Sequence, residues 1–123
     1  GRRVAVCDER NEIAAMWKGR SSFDLGKHTD VLVGAGKAEG ISMLARSMNP
    51  EIIAVDEISA DEDVRAIEQA IGCGASIFAS VHGLDMKQLR KRPALNNLLS
   101  LGIFNRAVLI SGREMRNYEL VNL

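Results

Sequence analysis

The apolar segment Ile52–Val55 constrains the fold more than any other part of the sequence, because it leads directly into Asp56 and Glu57. A short apolar run of this kind is typical of a strand buried on both faces, as in parallel sheets. An aspartate at the end of such a strand can hold a magnesium-bound water, and a neighbouring glutamate can polarise a second water toward a phosphate. Acids also cap buried strands without any catalytic role, so the neighbouring segments have to decide between these interpretations.

Helical patterns flank this strand on both sides. The upstream helix is predicted to end at Asn49-Pro50, and the downstream helix to begin in a capping box at residues 59–62. Their apolar faces are formed by Ile41, Leu44, Ala45 and Met48 and by Val64, Ile67 and Ile71. Further segments continue the alternation: strands at 4–7, 75–81 and 107–110, short helices at 85–90 and beyond Pro93, and a candidate edge strand at 118–123. This alternation predicts an α/β fold with a mostly parallel sheet, whereas residues 11–36 are predicted to be loop with a short hairpin.

Length and composition favour one small domain without a strong electrostatic preference. The 123 residues include 16 basic and 16 acidic side chains, which argues against a general nucleic-acid or anionic-membrane surface. Cys7 and Cys73 are far apart and form no Cys-x-x-Cys motif, as expected for a reducing compartment and not for a zinc site. The apolar runs are too short for a membrane span.

Polar residues follow three of the predicted strands where each strand ends. Asp8-Glu9 follow the first strand, Asp56-Glu57 the second, and Ser80 and His82 the third. Parallel strands bring their carboxyl ends to one edge of a sheet, so these groups are expected to converge. Phosphoryl transfer needs such a mixture of acids and neutral polar groups, although a phosphatase could use similar parts.

The segment Gly34-Ala35-Gly36-Lys37 looks like the end of a phosphate-binding loop but fails the full pattern. A Walker A motif would require glycine in place of Val31 and serine or threonine in place of Ala38. The segment is therefore interpreted as a flexible turn before the next helix.

Several motifs in combination resemble the stage III sporulation protein AA family, over about residues 4–111. They are the segments at residues 4–13, 29–32, 37–40, 46–58 and 80–83. The Asp-Glu-Arg-x-Glu-Ile and Lys-Ala-Glu-Gly segments make the resemblance specific, because they are not general ATPase features. The family looks like the secretion ATPases of type II and type IV systems. The resemblance thus implies a three-layer RecA-like P-loop core, hexameric rings, and a role in assembling or powering a channel between mother cell and forespore.

The resemblance assigns roles to the residues at the predicted sheet edge. Asp56 would be the Walker B aspartate, binding the cofactor by holding Mg²⁺ through a water, and Glu57 the adjacent catalytic carboxylate. His82, together with Ser80, matches the histidine box that faces the terminal phosphate.

Other charged residues receive less definite roles. Glu9 and Glu12 fall in the acidic box of these relatives, where a further catalytic acid stands, and Glu9 is taken as that acid. Arg46 matches an arginine ahead of Walker B, with a structural or subunit-boundary role. Arg10 is expected to pair with Asp8 or another nearby acid.

One departure from the family dominates: no Walker A motif occurs within the sequence, and in the family that loop, its strand and its helix would precede Gly1. Residues 1–123 are therefore predicted to be a single partial ATPase domain, the Walker B side of the core. ATP and Mg²⁺ are expected in the intact parent and none bound to this chain. The loss of a central strand predicts that the Val108 strand closes onto the His82 strand, or that a second copy pairs there in a dimer. A smaller departure is Ser59, where relatives often carry glycine.

The implied setting is a cytoplasmic protein, peripheral at the mother cell side of the forespore membrane. Its expected partners are its own copies, as a hexamer of the parent, and a membrane protein of a sporulation channel complex, with no nucleic acid. Two alternatives stay open. One is a non-catalytic scaffold on an ATPase fold. The other is the core of an R3H-type single-stranded nucleic-acid-binding protein, which ranks lower because residues after Ser111 show no such module.

Overall fold

The computed structural model of the chain describes residues 1–112 and 116–123. These residues form two compact units, Gly1–His82 and Gly83–Leu123. The prediction of a single partial ATPase domain over residues 1–123 stays a prediction.

The first unit is built around a four-stranded parallel sheet with the strand order β4-β1-β5-β6. Its elements in chain order are β1 (Val4–Asp8), β2 (Met16–Trp17), β3 (Arg20–Ser21), β4 (Thr29–Val33), α1 (Lys37–Ser47), β5 (Ile52–Val55), α2 (Asp61–Gly72) and β6 (Ser76–Ala79). The mixed α/β architecture with a parallel sheet is therefore confirmed.

The core of this unit lies between the sheet and the two helices. Helix α1 contacts β1, β5 and α2, and α2 also contacts β6. Most of the apolar side chains predicted to face the core are buried, but Met48 at the end of α1 is 47% exposed. β1 is buried along most of its length because it has a neighbour on each side. The main buried residues are Ala5, Cys7, Ile41, Leu44, Ile53, Val55, Val64 and Ile67.

Residues 11–36 contain more structure than the predicted loop with a short hairpin. The hairpin is present as β2 and β3, but Thr29–Val33 forms an additional strand, β4, parallel to β1. Within the described part of the chain this strand has one hydrogen-bonded neighbour, and Asp30 on it is exposed. Gly26 and Gly34, both with positive φ, flank the strand. The segment was therefore predicted to be loop, because it combines turn residues with mixed polarity.

The capping box predicted at residues 59–62 is wrong in register. Helix α2 begins one residue later, with Ala60 at the N-cap, and an alanine side chain cannot accept a hydrogen bond. The Asp63 carboxylate instead accepts hydrogen bonds from the backbone N–H groups of Ser59 and Ala60, at 3.0 and 3.1 Å. Of the two halves of a capping box, only the one made by the N3 side chain is therefore formed, and Asp63 supplies it.

The second unit contains two short helices and a two-stranded sheet. Its elements are α3 (Met86–Leu89), α4 (Pro93–Ser100), β7 (Arg106–Ser111) and β8 (Asn117–Asn122). Asp85 caps α3 by accepting a hydrogen bond from the Gln88 N–H at 2.7 Å, and Pro93 occupies the first turn of α4, where it requires no N–H partner.

The predicted closure of the Val108 strand onto the His82 strand stays a prediction, because the two strands lie in different units. Among the described residues β7 has β8 as its hydrogen-bonded neighbour, in an antiparallel pair from Arg106↔Asn122 to Ser111↔Asn117. The two segments are close in sequence, so local antiparallel pairing satisfies their backbone groups. The predicted pairing with a second copy in a dimer stays a prediction. No helix in the described part of the chain is both long and apolar enough to cross a bilayer.

Candidate functional site

The carboxyl ends of β1, β5 and β6 lie level with one another. Cys7 pairs with Val55, and Val55 pairs with Ala79, so the residues that follow these three positions emerge at one edge of the sheet. This edge carries the acidic rim, which we define as Glu9, Asp56 and Glu57 with the neighbouring cations Lys37 and Arg10. The convergence predicted from the sequence is therefore present.

Asp56 is the most unusual carboxylate of the rim. It is only 5% exposed, and within the described chain neither of its oxygens has a hydrogen-bond partner. Its nearest cation is the Lys37 ammonium, which forms an ion pair with Oδ1 at 3.2 Å and donates a hydrogen bond to the Glu57 carbonyl oxygen. A buried carboxylate without hydrogen-bond donors is costly in a folded protein, so the free acceptors of Asp56 fit a metal-bound water.

Lys37 is a buried residue of the rim that the sequence pattern did not predict. It is the first residue of α1 and only 8% exposed, and its ammonium reaches both Asp56 and Glu9, the latter at 3.7 Å. The preceding segment does contain a turn, with Gly34 at φ +78, but the lysine belongs to the site. A signal was available, because a cation in the first turn of a helix opposes the helix dipole and requires an acidic partner elsewhere.

Glu57 lies between an arginine and a histidine. Its Oε2 atom accepts a hydrogen bond from Arg10 Nη2 at 3.2 Å and lies 3.9 Å from His82 Nε2. Arg10 also lies 3.6 Å from Glu12. The charge of Glu12, followed by the hydrogen bond to Glu57, raises the pKa of Arg10. The Arg10 guanidinium therefore pairs with nearby acids as expected, and one of these acids is Glu57, a candidate catalytic residue.

The acidic segment after β1 separates into structural and rim residues. Asp8 is fully buried and accepts backbone hydrogen bonds from Glu12, Ile13 and Ala14 at 2.8, 3.0 and 2.8 Å. Asn11, at φ 60, exchanges two hydrogen bonds with the Met16 backbone. These contacts fold the loop back on itself, and Glu9 is left at the rim beside Lys37.

The remaining candidates lie at the surface. Ser80 is exposed, and its carbonyl oxygen accepts a hydrogen bond from Ile58 N–H at 3.0 Å, which connects the ends of β6 and β5. His82 is 81% exposed, so its ring is accessible to a ligand. Arg46 is exposed in the last turn of α1, at the opposite end of this helix from Lys37; there it complements the helix dipole, and the structure does not bring it to the rim.

A conventional metal cluster is not preformed here: among residues 1–112 and 116–123, no group of three or more His, Cys, Asp or Glu side chains is arranged to hold a metal ion. The catalytic and binding roles predicted for Glu57, Glu9, His82, Asp56 and Ser80 stay predictions.

Together the sheet and the rim define an α/β protein whose charged groups gather at the carboxyl ends of parallel strands. The chain belongs to the family described as "Sporulation stage III, protein AA", whose sequence model matches residues 1–118. It is 39% identical over 109 residues to the Stage III sporulation protein AA of Bacillus subtilis (strain 168), an alignment that covers 89% of this chain and 36% of that protein. The chain therefore spans about a third of the length of that relative. No solved structure matches it.

Proposed function

We propose that this chain is the Walker B side of a RecA-like ATPase core, and that the intact parent hydrolyses ATP. The observation that supports this most directly is Asp56, a buried carboxylate without hydrogen-bond donors at the end of a parallel strand. Glu57 follows it immediately, and His82 from the next strand lies 3.9 Å from Glu57. A carboxylate for the cation, a carboxylate for the water and a polar group for the terminal phosphate are the parts that phosphoryl transfer uses.

Each residue has a definite task under this proposal. Asp56 holds a magnesium-bound water, and the magnesium ion supplies charge neutralisation on the phosphates when it is bound. Glu57 orients the attacking water and accepts its proton. His82 and Ser80 contact the terminal phosphate, and Glu9 acts as a further acid at the same edge. The phosphate-binding loop is contributed by the rest of the parent, since no Walker A motif occurs in this sequence.

The wider setting is proposed from the family. Membership in a sporulation stage III family supports a role in endospore formation. Within it, we place the parent as a hexameric ring with three-layer cores, which assembles or powers a channel between mother cell and forespore. It would act on the mother cell side, bound at the periphery of the forespore membrane to a membrane protein of the channel complex.

The decisive experiment replaces Glu57 with Gln in the full-length parent. Turnover of ATP is expected to fall by about 10²-fold or more, because the base is lost, whereas binding of a fluorescent ATP analogue is retained. Glu62→Gln is the matched control: Glu62 is exposed on α2 and pairs with Arg65, so this variant should hydrolyse ATP normally. Unchanged hydrolysis by Glu57→Gln would contradict the proposed catalytic role.

A second candidate is a scaffold that uses the fold only to contact partners. The ion pairs of the acidic rim favour this function, because Asp56 is already paired with Lys37 and Glu57 with Arg10. Calorimetry with ATP and Mg²⁺ on the full-length parent separates the two functions. A scaffold shows no nucleotide binding and no turnover, whereas the proposed ATPase shows both.

A further inference from the structure

Lys37 is a buried cation that the proposed hydrolysis does not use. Lysine is almost never buried unless it is paired, and here the described residues give the ammonium three oxygen neighbours from two strand ends. They are Asp56 Oδ1 at 3.2 Å, Glu9 Oε2 at 3.7 Å and the Glu57 carbonyl oxygen.

These neighbours resemble the ligands of a hard metal ion. Carboxylate and carbonyl oxygens are what magnesium and manganese prefer. Asp56 is more than nine-tenths buried, has no hydrogen-bond donor among the described residues, and places Oδ1 3.2 Å from the ammonium. The ammonium thus occupies a position between the acids of β1 and β5 that a cation would take.

We propose that Lys37 is a positioning residue whose ammonium is the resident cation of the acidic rim. It holds Asp56 and Glu9 in place and keeps a divalent cation from binding until a nucleotide brings additional ligands. This inference rests on the proposed function only in taking Asp56 as the residue that holds a cation.

The exchange can be tested without nucleotide, on this chain alone, with Mn²⁺ as the probe. Lys37→Met removes the ammonium and keeps a flexible side chain of similar length. We expect the Mn²⁺ affinity, measured by electron paramagnetic resonance and calorimetry, to rise by about tenfold or more, since a unit charge within 4 Å acts strongly in a partly buried site. Adding Asp56→Asn to Lys37→Met should abolish the gain.

Two controls isolate the charge at this position. Lys37→Arg keeps the cation and should bind Mn²⁺ as weakly as the wild-type chain. Lys27→Met removes an exposed lysine elsewhere in the same unit and should also leave the affinity unchanged, so the gain cannot come from the change in net charge.

The outcomes are unambiguous. Equal Mn²⁺ affinity of Lys37→Met and wild type overturns the inference, and so does a gain that survives Asp56→Asn. If Lys37→Met is unfolded in metal-free buffer, Mn²⁺ is expected to restore its circular dichroism spectrum and cooperative melting, and failure to do so also overturns it. A parent without ATP hydrolysis would remove the proposed function and leave this exchange intact, so the two can fail separately.

Discussion

Gly40 and Cys7 form a contact that leaves no room for a side chain at position 40. A Cβ atom on Gly40 would lie 2.6 Å from the Cys7 Sγ atom, closer than real contacts allow. The thiol itself points toward the Lys37 carbonyl oxygen, 3.6 Å away. The first turns of α1 therefore pack directly on β1, which explains why glycine stands at the end of the Lys-Ala-Glu-Gly segment.

Gly40→Ala is expected to destabilise the chain by about 1–3 kcal/mol, the usual cost of overpacking a filled core. Urea denaturation measures it. Gly72→Ala is the matched control, because Gly72 also lies in a helix and an added Cβ there would meet none of the described residues within 4 Å. This variant should gain up to about 1 kcal/mol of helix propensity. Equal stability of Gly40→Ala and wild type would show that the helix does not pack this closely.

The two cysteines should differ sharply in reactivity. Burial, reinforced by the charge of Asp56, raises the pKa of Cys7 from its ordinary value of 9.0 to about 11, whereas Cys73 is free and exposed. Since only the thiolate is nucleophilic, Cys73 should be alkylated rapidly at pH 8 and Cys7 only after unfolding. Mass spectrometry of the labelled peptides checks this order, and comparable labelling of both in the folded chain would contradict it.

The same pKa shift makes stability depend on alkaline pH. The unfolded chain loses the Cys7 proton from about pH 9, but the folded chain retains it to about pH 11. The contribution of this group is therefore fully present below pH 9 and is lost as the pH rises through 11. Cys7→Ala should flatten this part of the stability profile measured by urea denaturation between pH 8 and 11.

Asp8→Asn should destabilise the loop after β1. The Asp8 carboxylate accepts three backbone hydrogen bonds in a fully buried position, and an amide offers only one acceptor oxygen. We expect a loss of about 2–3 kcal/mol, because a buried donor is left unsatisfied, together with faster proteolysis in residues 9–15. Asp24→Asn is the control, since this exposed carboxylate accepts a single hydrogen bond from Gly26. A stable Asp8→Asn variant would exclude the organising role of this carboxylate.

Asp63→Ala should cost about 1 kcal/mol, the usual value of a helix cap. Ser59→Ala should be nearly neutral, because Ser59 contributes its backbone N–H to the cap and its side chain is exposed. The pair of variants, compared by thermal unfolding, distinguishes the observed cap from the one that the sequence pattern suggested, which requires the opposite order.

The parts of this structure that sequence reasoning predicted are those with a strong periodic signal. The apolar patterns of β5 and α2 predicted both elements. The convergence of the polar groups at the strand ends was predictable because parallel strands align their carboxyl ends. β4 was missed because it has one neighbour and is bracketed by glycines. Lys37 was missed because burial of a charge depends on partners distant in sequence, here 28 residues back at Glu9 and 19 onward at Asp56. Its place in the first turn of a helix signals a need for an acidic partner, but no local pattern identifies which acid it is.

The pairing of β5 with β1 has a consequence for how the rim tolerates change. Ile53 and Val55 are buried, as are Ala5 and Cys7, the residues that they face across the β1–β5 pair. Sliding β5 by one position would turn both residues out of the core as it moved Asp56 away from Lys37, since successive side chains on a strand point to opposite sides. An insertion within these strands should therefore destabilise the fold. Variants that keep the apolar core should also keep Asp56 beside Lys37.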